Sequence, residues 1–292
     1  MFQQIIYINL KHRKDRLENV LNQISKIKKN NNVIRIDAIN GKTLDLQNLS
    51  QSLVTKNGIN DAINNNLSMG IPLTRGAIGC ALSHREAFKK IIEKNINAAL
   101  IVEDDISINE LYNDTIHELY MNKPDDYDII YLGYHDATIK YIYEQINDTF
   151  CKAYIVYGLF GYIVTNNGAK KLLDIFPISK QIDSEISYNF HNIKGYIVSP
   201  NKRIIQSDES EKNIQFGTDI QIRELYTNNN QKISFRDKIS NRAADFVEGF
   251  APNKTCFSKN FFVILFFLFI ILFIFSKING SFKKLCYKII PI

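Results

Sequence analysis

Residues 98–105 read Ala-Ala-Leu-Ile-Val-Glu-Asp-Asp, an apolar run that stops abruptly in three adjacent acids. Neighbouring carboxylates repel one another. In an extended strand Glu103 and Asp105 point to one face and Asp104 to the other, so a hard divalent cation at the strand's carboxyl end would offset the repulsion. Open α/β sheets also take ligands at that end. Spacing alone leaves two readings open, a cation holder and an inert, solvated acidic loop. The four cysteines, Cys80, Cys151, Cys256 and Cys286, form no C-x-x-C pair and show no metal-ligand spacing to histidine. Reduced thiols are therefore expected, with neither a disulfide framework nor a zinc site.

Placing those acids requires a sheet. The opening apolar run around Ile5 to Leu10 reads as a strand, and Leu17, Val20, Leu21, Ile24 and Ile27 then recur at helical spacing before a second apolar run, Val33 to Ile39. That is a β-α-β unit. A polar stretch from Asn40 to Thr74 reads as loop. Ile78, Ala81, Leu82, Phe88, Ile91 and Ile92 make a second amphipathic helix feeding the strand Ala98 to Val102. Further strands are expected at Ile129–Leu132, at Tyr154–Val164 with a glycine-marked interruption, and at Tyr196–Ser199, with helices near Gly168–Ile175 and Glu185–Asn192. Alternation of this kind means an α/β sheet with helices on its faces.

The chain has 292 residues, 45% apolar and 23% charged, the composition of a folded protein rather than a fibrous or disordered one. Its formal charge is +6, but residues 259–292 hold five lysines and no acid, so the rest is nearly neutral. A basic patch confined to the tail suits a membrane surface, and no nucleic-acid partner is expected. Residues 260–276 contain 15 consecutive apolar residues between Lys259 and Lys277. At about 1.5 Å per residue the span reaches about 26 Å, close to the ~30 Å hydrocarbon core of a bilayer once lysines snorkel. The N-terminus shows no basic n-region and no small-residue cleavage site, so no secretory signal is expected. These features together lead us to expect a single-pass membrane protein anchored near its C-terminus, with the large domain cytoplasmic. The expected organisation is a globular domain over 1–225, a linker and juxtamembrane segment over 226–258, the transmembrane helix over 259–277 and a short basic tail over 278–292.

Several blocks carry a family likeness. They are Asn9-Leu10 with Arg13, Asp15 and Arg16; Asp37-Ala38 with Gly41-Lys42; Gly79-Cys80-Ala81-Leu82-Ser83-His84 with Phe88-Lys89; and Leu100 to Asp105. Weaker blocks follow at Asp128–Gly133, Tyr162–Leu173, Asp183, and Pro200 with Gln206 and Ser207. In this order they resemble glycosyltransferase family 25, the lipopolysaccharide and collagen galactosyltransferase-like group. The G-C-A-L-S-H and E-D-D blocks are the most specific, and the likeness covers roughly residues 3–215. Two positions depart from the family pattern: Ala77 stands where a Glu is common, and Ser184 where a second acid often follows Asp183.

The resemblance implies a GT-A, Rossmann-like domain that moves a hexose from a UDP-sugar, UDP-galactose or a similar donor, to a hydroxyl on a glycan, a lipid-linked glycan or a protein, with inversion. It implies Mn²⁺ or Mg²⁺ held by Glu103 and Asp105, and Asp104 sharing metal and ribose contacts. Asn9, Leu10, Arg13, Arg16 and Asp37 would seat the nucleotide. Asp183 would be the base, its alternative being a helix N-cap, and His84 would bridge the donor or the acids. A catalytically inactive, membrane-tethered binding protein is the competing reading, motivated by Ala77 and Ser184.

Overall fold

The computed structural model describes residues 2–27, 32–64 and 73–207. The apolar run at 260–276 and everything beyond 207 lie outside these residues. Among the described residues no helix is long and apolar enough to cross a membrane.

The expected β-α-β opening is present. Strand β1 (Gln4–Asn9) leads through helix α1 (Lys14–Ser25) to strand β2 (Asn32–Asp37), parallel to β1. Helix α2 (Lys56–Asn64) precedes the long helix α3 (Arg75–Glu93), whose first turn is capped by the Thr74 hydroxyl accepting from the Ala77 amide at 3.0 Å. α3 buries Ile78, Ala81, Leu82, Phe88 and Ile91 at helical spacing and delivers the chain to β3 (Ala98–Glu103), parallel to β1 on the side opposite β2. Ala99 to Val102 are wholly buried, which is why this strand reads as one continuous apolar run rather than an alternation.

The remaining elements are β4 (Ile106–Ile108), α4 (Tyr112–Asn122), β5 (Ile129–Tyr131), β6 (Ile142–Gln145), β7 (Phe150–Ala153), β8 (Gly161–Thr165), α5 (Asn166–Leu173), α6 (Ile182–Tyr188), β9 (Gly195–Val198) and β10 (Ile205–Ser207). Eight strands form one mixed sheet in the order β2-β1-β3-β8-β5-β9-β7-β6, and β4 pairs with β10 in a separate ribbon. β8 runs antiparallel between β3 and β5, so the sheet is not the purely parallel one that helix-strand alternation suggests. From β1 the chain steps outward to β2 and then returns to the other side of β1 as β3. The crevice at the carboxyl ends of β1 and β3 is therefore a topological switch point, where open α/β sheets receive ligands.

Two sequence expectations are corrected. The stretch read as loop from Asn40 to Thr74 contains α2, which the Asn-rich surroundings and Gly58 disguise; its first turn is held by the Thr55 hydroxyl accepting from the Gly58 amide. The stretch from Tyr154 to Phe160, read as strand, is a loop: Gly158 sits at φ +94°, a conformation that ends an extended run, and the Tyr157 amide bonds the Thr138 hydroxyl instead of a neighbouring strand.

One close approach shapes the crevice. A Cβ on Gly79 would lie 2.5 Å from the Ile39 carbonyl oxygen, and a Cβ on Gly41 would lie 2.0 Å from that of Arg75. Only two glycines let the loop after β2 lie directly on α3. The Ser83 hydroxyl fastens the contact by accepting from the Ile39 amide at 2.8 Å while donating to the Gly79 carbonyl.

Candidate active site

The crevice opens as a cleft lined by Leu10, Arg16, Cys80, His84, Glu103 and Asp104 together with the loop after β2. β3 ends at Glu103, so the two-residue alternation expected along the acids does not continue. Glu103 turns toward α3, whereas Asp104 and Asp105, in the turn that follows, both meet Arg16 from α1, at 3.1 and 3.0 Å. Instead of pointing away from Asp104, Asp105 shares its cation. Arg16 is buried, and burial pushes the Asp104 carboxyl above its usual range while Arg16 and the amide of Asn9 pull it back. Asn9 closes this side, its Nδ2 donating to Asp104 at 2.7 Å and to the Arg13 carbonyl. Asn19 pins the turn by donating to the carbonyls of Asp104 and Ile106, both at 3.0 Å.

The other side is built differently. His84 is 1% exposed, and its Nε2 lies 3.1 Å from Glu103 while its Nδ1 lies 2.6 Å from the Tyr162 hydroxyl. Burial pushes its pKa down to about 3, with the Asp183 carboxylate pulling partly the other way, so the ring is neutral near neutrality. A carboxylate only accepts, so Nε2 carries the proton toward Glu103 and Nδ1 accepts from Tyr162. Tyr162 thereby fixes which tautomer Glu103 meets. Cys80, one helical turn before His84, directs its thiol at the same Glu103 oxygen at 3.8 Å. Burial, Glu103, Asp183 and Asp105 all raise the thiol's pKa well above normal.

Asp183 arrives from α6. The cap position of that helix is Gln181, so Asp183 is not the N-cap considered from sequence; it sits in the first turn, accepting from the amides of Gly158 at 3.1 Å and Ser184 at 2.7 Å. Burial raises its carboxyl pKa, and those amides and His135 hold the rise in check. Ser184, one of the two departures, thus supplies a backbone donor to Asp183.

Of the nucleotide-seat candidates, Leu10 and Arg16 line the cleft and Asn9 lies just behind it. Arg13 pairs with Asp15 through Nη2 at 2.8 Å, and Asp37 is largely exposed, 76% by side chain, paired with Arg35. The structure does not bring these two into the cleft lining. It adds residues that sequence reasoning passed over. Tyr162 reads as core from its aromatic neighbours, and only its pairing across β3 places it on His84. Cys80 and His84 are spaced i, i+4 on a helix, a ligand spacing that was legible but unread, so the expectation of no Cys–His spacing is corrected.

A hard divalent cation suits this donor set. Glu103 and Asp104 present carboxylates on the cleft wall, while Asp105 is turned to Arg16. The Asn9 Oδ1 is buried with no hydrogen-bond partner among the described residues. Carboxylate and amide oxygens are the ligands Mg²⁺ and Mn²⁺ prefer.

A family model described as glycosyltransferase family 25 (LPS biosynthesis protein) matches residues 2–189. Procollagen galactosyltransferase 1-A of Xenopus laevis is 32% identical over 209 residues, covering 67% of this chain and 32% of that protein. Procollagen galactosyltransferase 2 of Homo sapiens is 28% identical over 205 residues, with the same coverage. The chain thus spans about a third of the length of these relatives. A solved glycosyltransferase involved in the glycosylation of the major capsid of PBCV-1 aligns at a TM-score of 0.38 and 12% identity, covering 68% of this chain and 81% of that one, a likeness too slight to bear on the assignment.

Proposed function

Since the chain belongs to glycosyltransferase family 25, we propose that its cleft transfers a hexose, galactose foremost, from a UDP-sugar to a hydroxyl on a glycan, lipid-linked glycan or protein, with inversion, on a GT-A domain. The observation that carries this reading is a switch-point cleft lined by Glu103 and Asp104 beside a buried arginine that also holds Asp105. Glu103 and Asp105 would hold Mn²⁺ or Mg²⁺, which supplies stabilisation of the negative charge that develops on the leaving diphosphate.

The chain's own groups do the rest. Asp183 accepts the proton of the acceptor hydroxyl as that oxygen attacks the anomeric carbon and the electrons of the glycosidic bond leave with UDP. Its raised pKa makes it a stronger base than an exposed aspartate, and the two amides keep it ionised and aimed. His84, neutral and locked by Tyr162, holds Glu103 in place without adding charge. Arg16 keeps Asp104 and Asp105 together at the cleft wall. In this reading the run at 260–276 anchors the chain in a membrane with the catalytic domain on the cytoplasmic side, where nucleotide sugars are made available.

The test is UDP release by the full chain from a panel of UDP-sugars and hydroxyl acceptors, with and without Mn²⁺. We expect metal-dependent release that falls roughly 100- to 10,000-fold in Asp183→Asn and is lost in Glu103→Gln. Absence of both release and UDP-sugar binding by calorimetry would overturn the enzyme reading and leave a tethered, inactive family member.

A further inference from the structure

We propose that Cys80, His84 and Glu103 form a three-ligand site for a thiophilic divalent cation, of which Zn²⁺ is the type, with its fourth position open to the cleft. Cys80 Sγ, His84 Nε2 and a Glu103 oxygen all lie within 4.8 Å of one another, with Sγ to Oε1 at 3.8 Å and Nε2 to Oε1 at 3.1 Å. A tetrahedral Zn²⁺ with bonds of about 2.0–2.3 Å sets its ligand atoms roughly 3.3–3.8 Å apart. The two distances to Glu103 lie within a few tenths of an ångström of that range.

Two independent features support a ligand here. A histidine that binds metal through one ring nitrogen is oriented by an acceptor of its other N–H, and the Tyr162 oxygen, 2.6 Å from Nδ1, can take that part once its hydroxyl proton turns away from the ring. All three residues line the same cleft, so a path of entry exists, and Cys80 is only half-buried. The mixed sulfur, nitrogen and oxygen set differs from the all-oxygen set assigned to Mn²⁺ or Mg²⁺ and selects a softer metal.

Binding balances as follows. Cys80 gives its thiol proton to solvent and forms the sulfur–metal bond. His84 moves its proton from Nε2 to Nδ1, where it now donates to the Tyr162 oxygen, and Nε2 binds the metal. One proton is released per cation. Because Glu103 is shared, an ion seated here displaces the hard cation of the transfer reaction, so trace Zn²⁺ inhibits an enzyme that Mn²⁺ supports.

The binding claim does not rest on the transferase reading and is tested without an activity assay. The full chain, held in detergent, is titrated with Co²⁺ as a spectroscopic stand-in. A sulfur-to-metal charge-transfer band saturating at one equivalent is expected, absent in Cys80→Ser and retained in Cys151→Ser. In the unmodified chain, Zn²⁺ but not Mg²⁺ is expected to protect Cys80 from alkylation at least tenfold, read by peptide mapping. A band that survives Cys80→Ser, or equal labelling of Cys80 with and without Zn²⁺, would overturn the proposal.

Discussion

The two sides of one strand end handle adjacent negative charge in opposite ways. Toward α1, Asp104 and Asp105 are held by a buried guanidinium, an ion pair with Arg16 supported by Asn9. Toward α3, Glu103 is held by a neutral imidazole that is itself set by a tyrosine hydroxyl. The charged arrangement is rigid, because separating its members strands charge in the interior. The neutral arrangement costs less to disturb and adds no charge of its own beside Glu103.

Breaking the charged side has the largest expected effect. Arg16→Met leaves two carboxylates without their buried cation and should cost about 3–5 kcal/mol in denaturant unfolding; a loss under about 1 kcal/mol would mean that Arg16 is not the keystone of that side. Acid sharpens the comparison. His84 has a folded pKa of about 3 against about 6.5 unfolded, so the unfolded chain binds the extra proton and stability falls as pH drops from about 6.5 toward 3. At pH 5 this amounts to about 2 kcal/mol, and His84→Asn should flatten the dependence over that window. If wild type and His84→Asn lose stability in parallel, the imidazole is not buried neutral.

Tyr162→Phe removes the donor to Nδ1 and should cost about 1–2 kcal/mol, the penalty for an orphaned buried acceptor. Its distinguishing signature is the ring nitrogen shifts of His84 by NMR, which should change from a single tautomer to a mixture. An unchanged spectrum would break the link from Tyr162 to Glu103. The smallest effect is expected at Asn19→Ala, about 1 kcal/mol for the two carbonyl contacts that pin the acidic turn. Double-mutant analysis with Arg16→Met should give non-additive losses, since both act on Asp104.

Much of this was legible in the residues. β1, α1, β2, α3 and β3 follow from apolar periodicity, and the acids, His84 and Asp183 stand out in the sequence by their motifs. What was not legible depends on pairing across distance. Tyr162 meets His84 because β8 inserts antiparallel beside β3, a topology that no local pattern announces. The split of the three acids depends on where β3 stops: one more extended residue would have kept the alternation and sent Asp105 toward Glu103's side. The i, i+4 relation of Cys80 and His84 is local and readable along α3, but Glu103 joins them only through the packing of α3 on β3. Arg13 and Asp37 stand out by their place in motifs, while their ion-pair partners Asp15 and Arg35 sit in the same short segments.

The insertion of β8 also governs how the chain comes into being. A ribosome delivers β1, β2 and β3 long before Gly161–Thr165 exists, so the edge of β3, whose Ala99 to Val102 end up wholly buried, must wait unpaired while some sixty residues are added. Local contacts cannot shorten that wait, since the partner is distant in sequence. The nascent protein therefore passes through a stage with a sticky, open β edge, which closes only when β8 arrives.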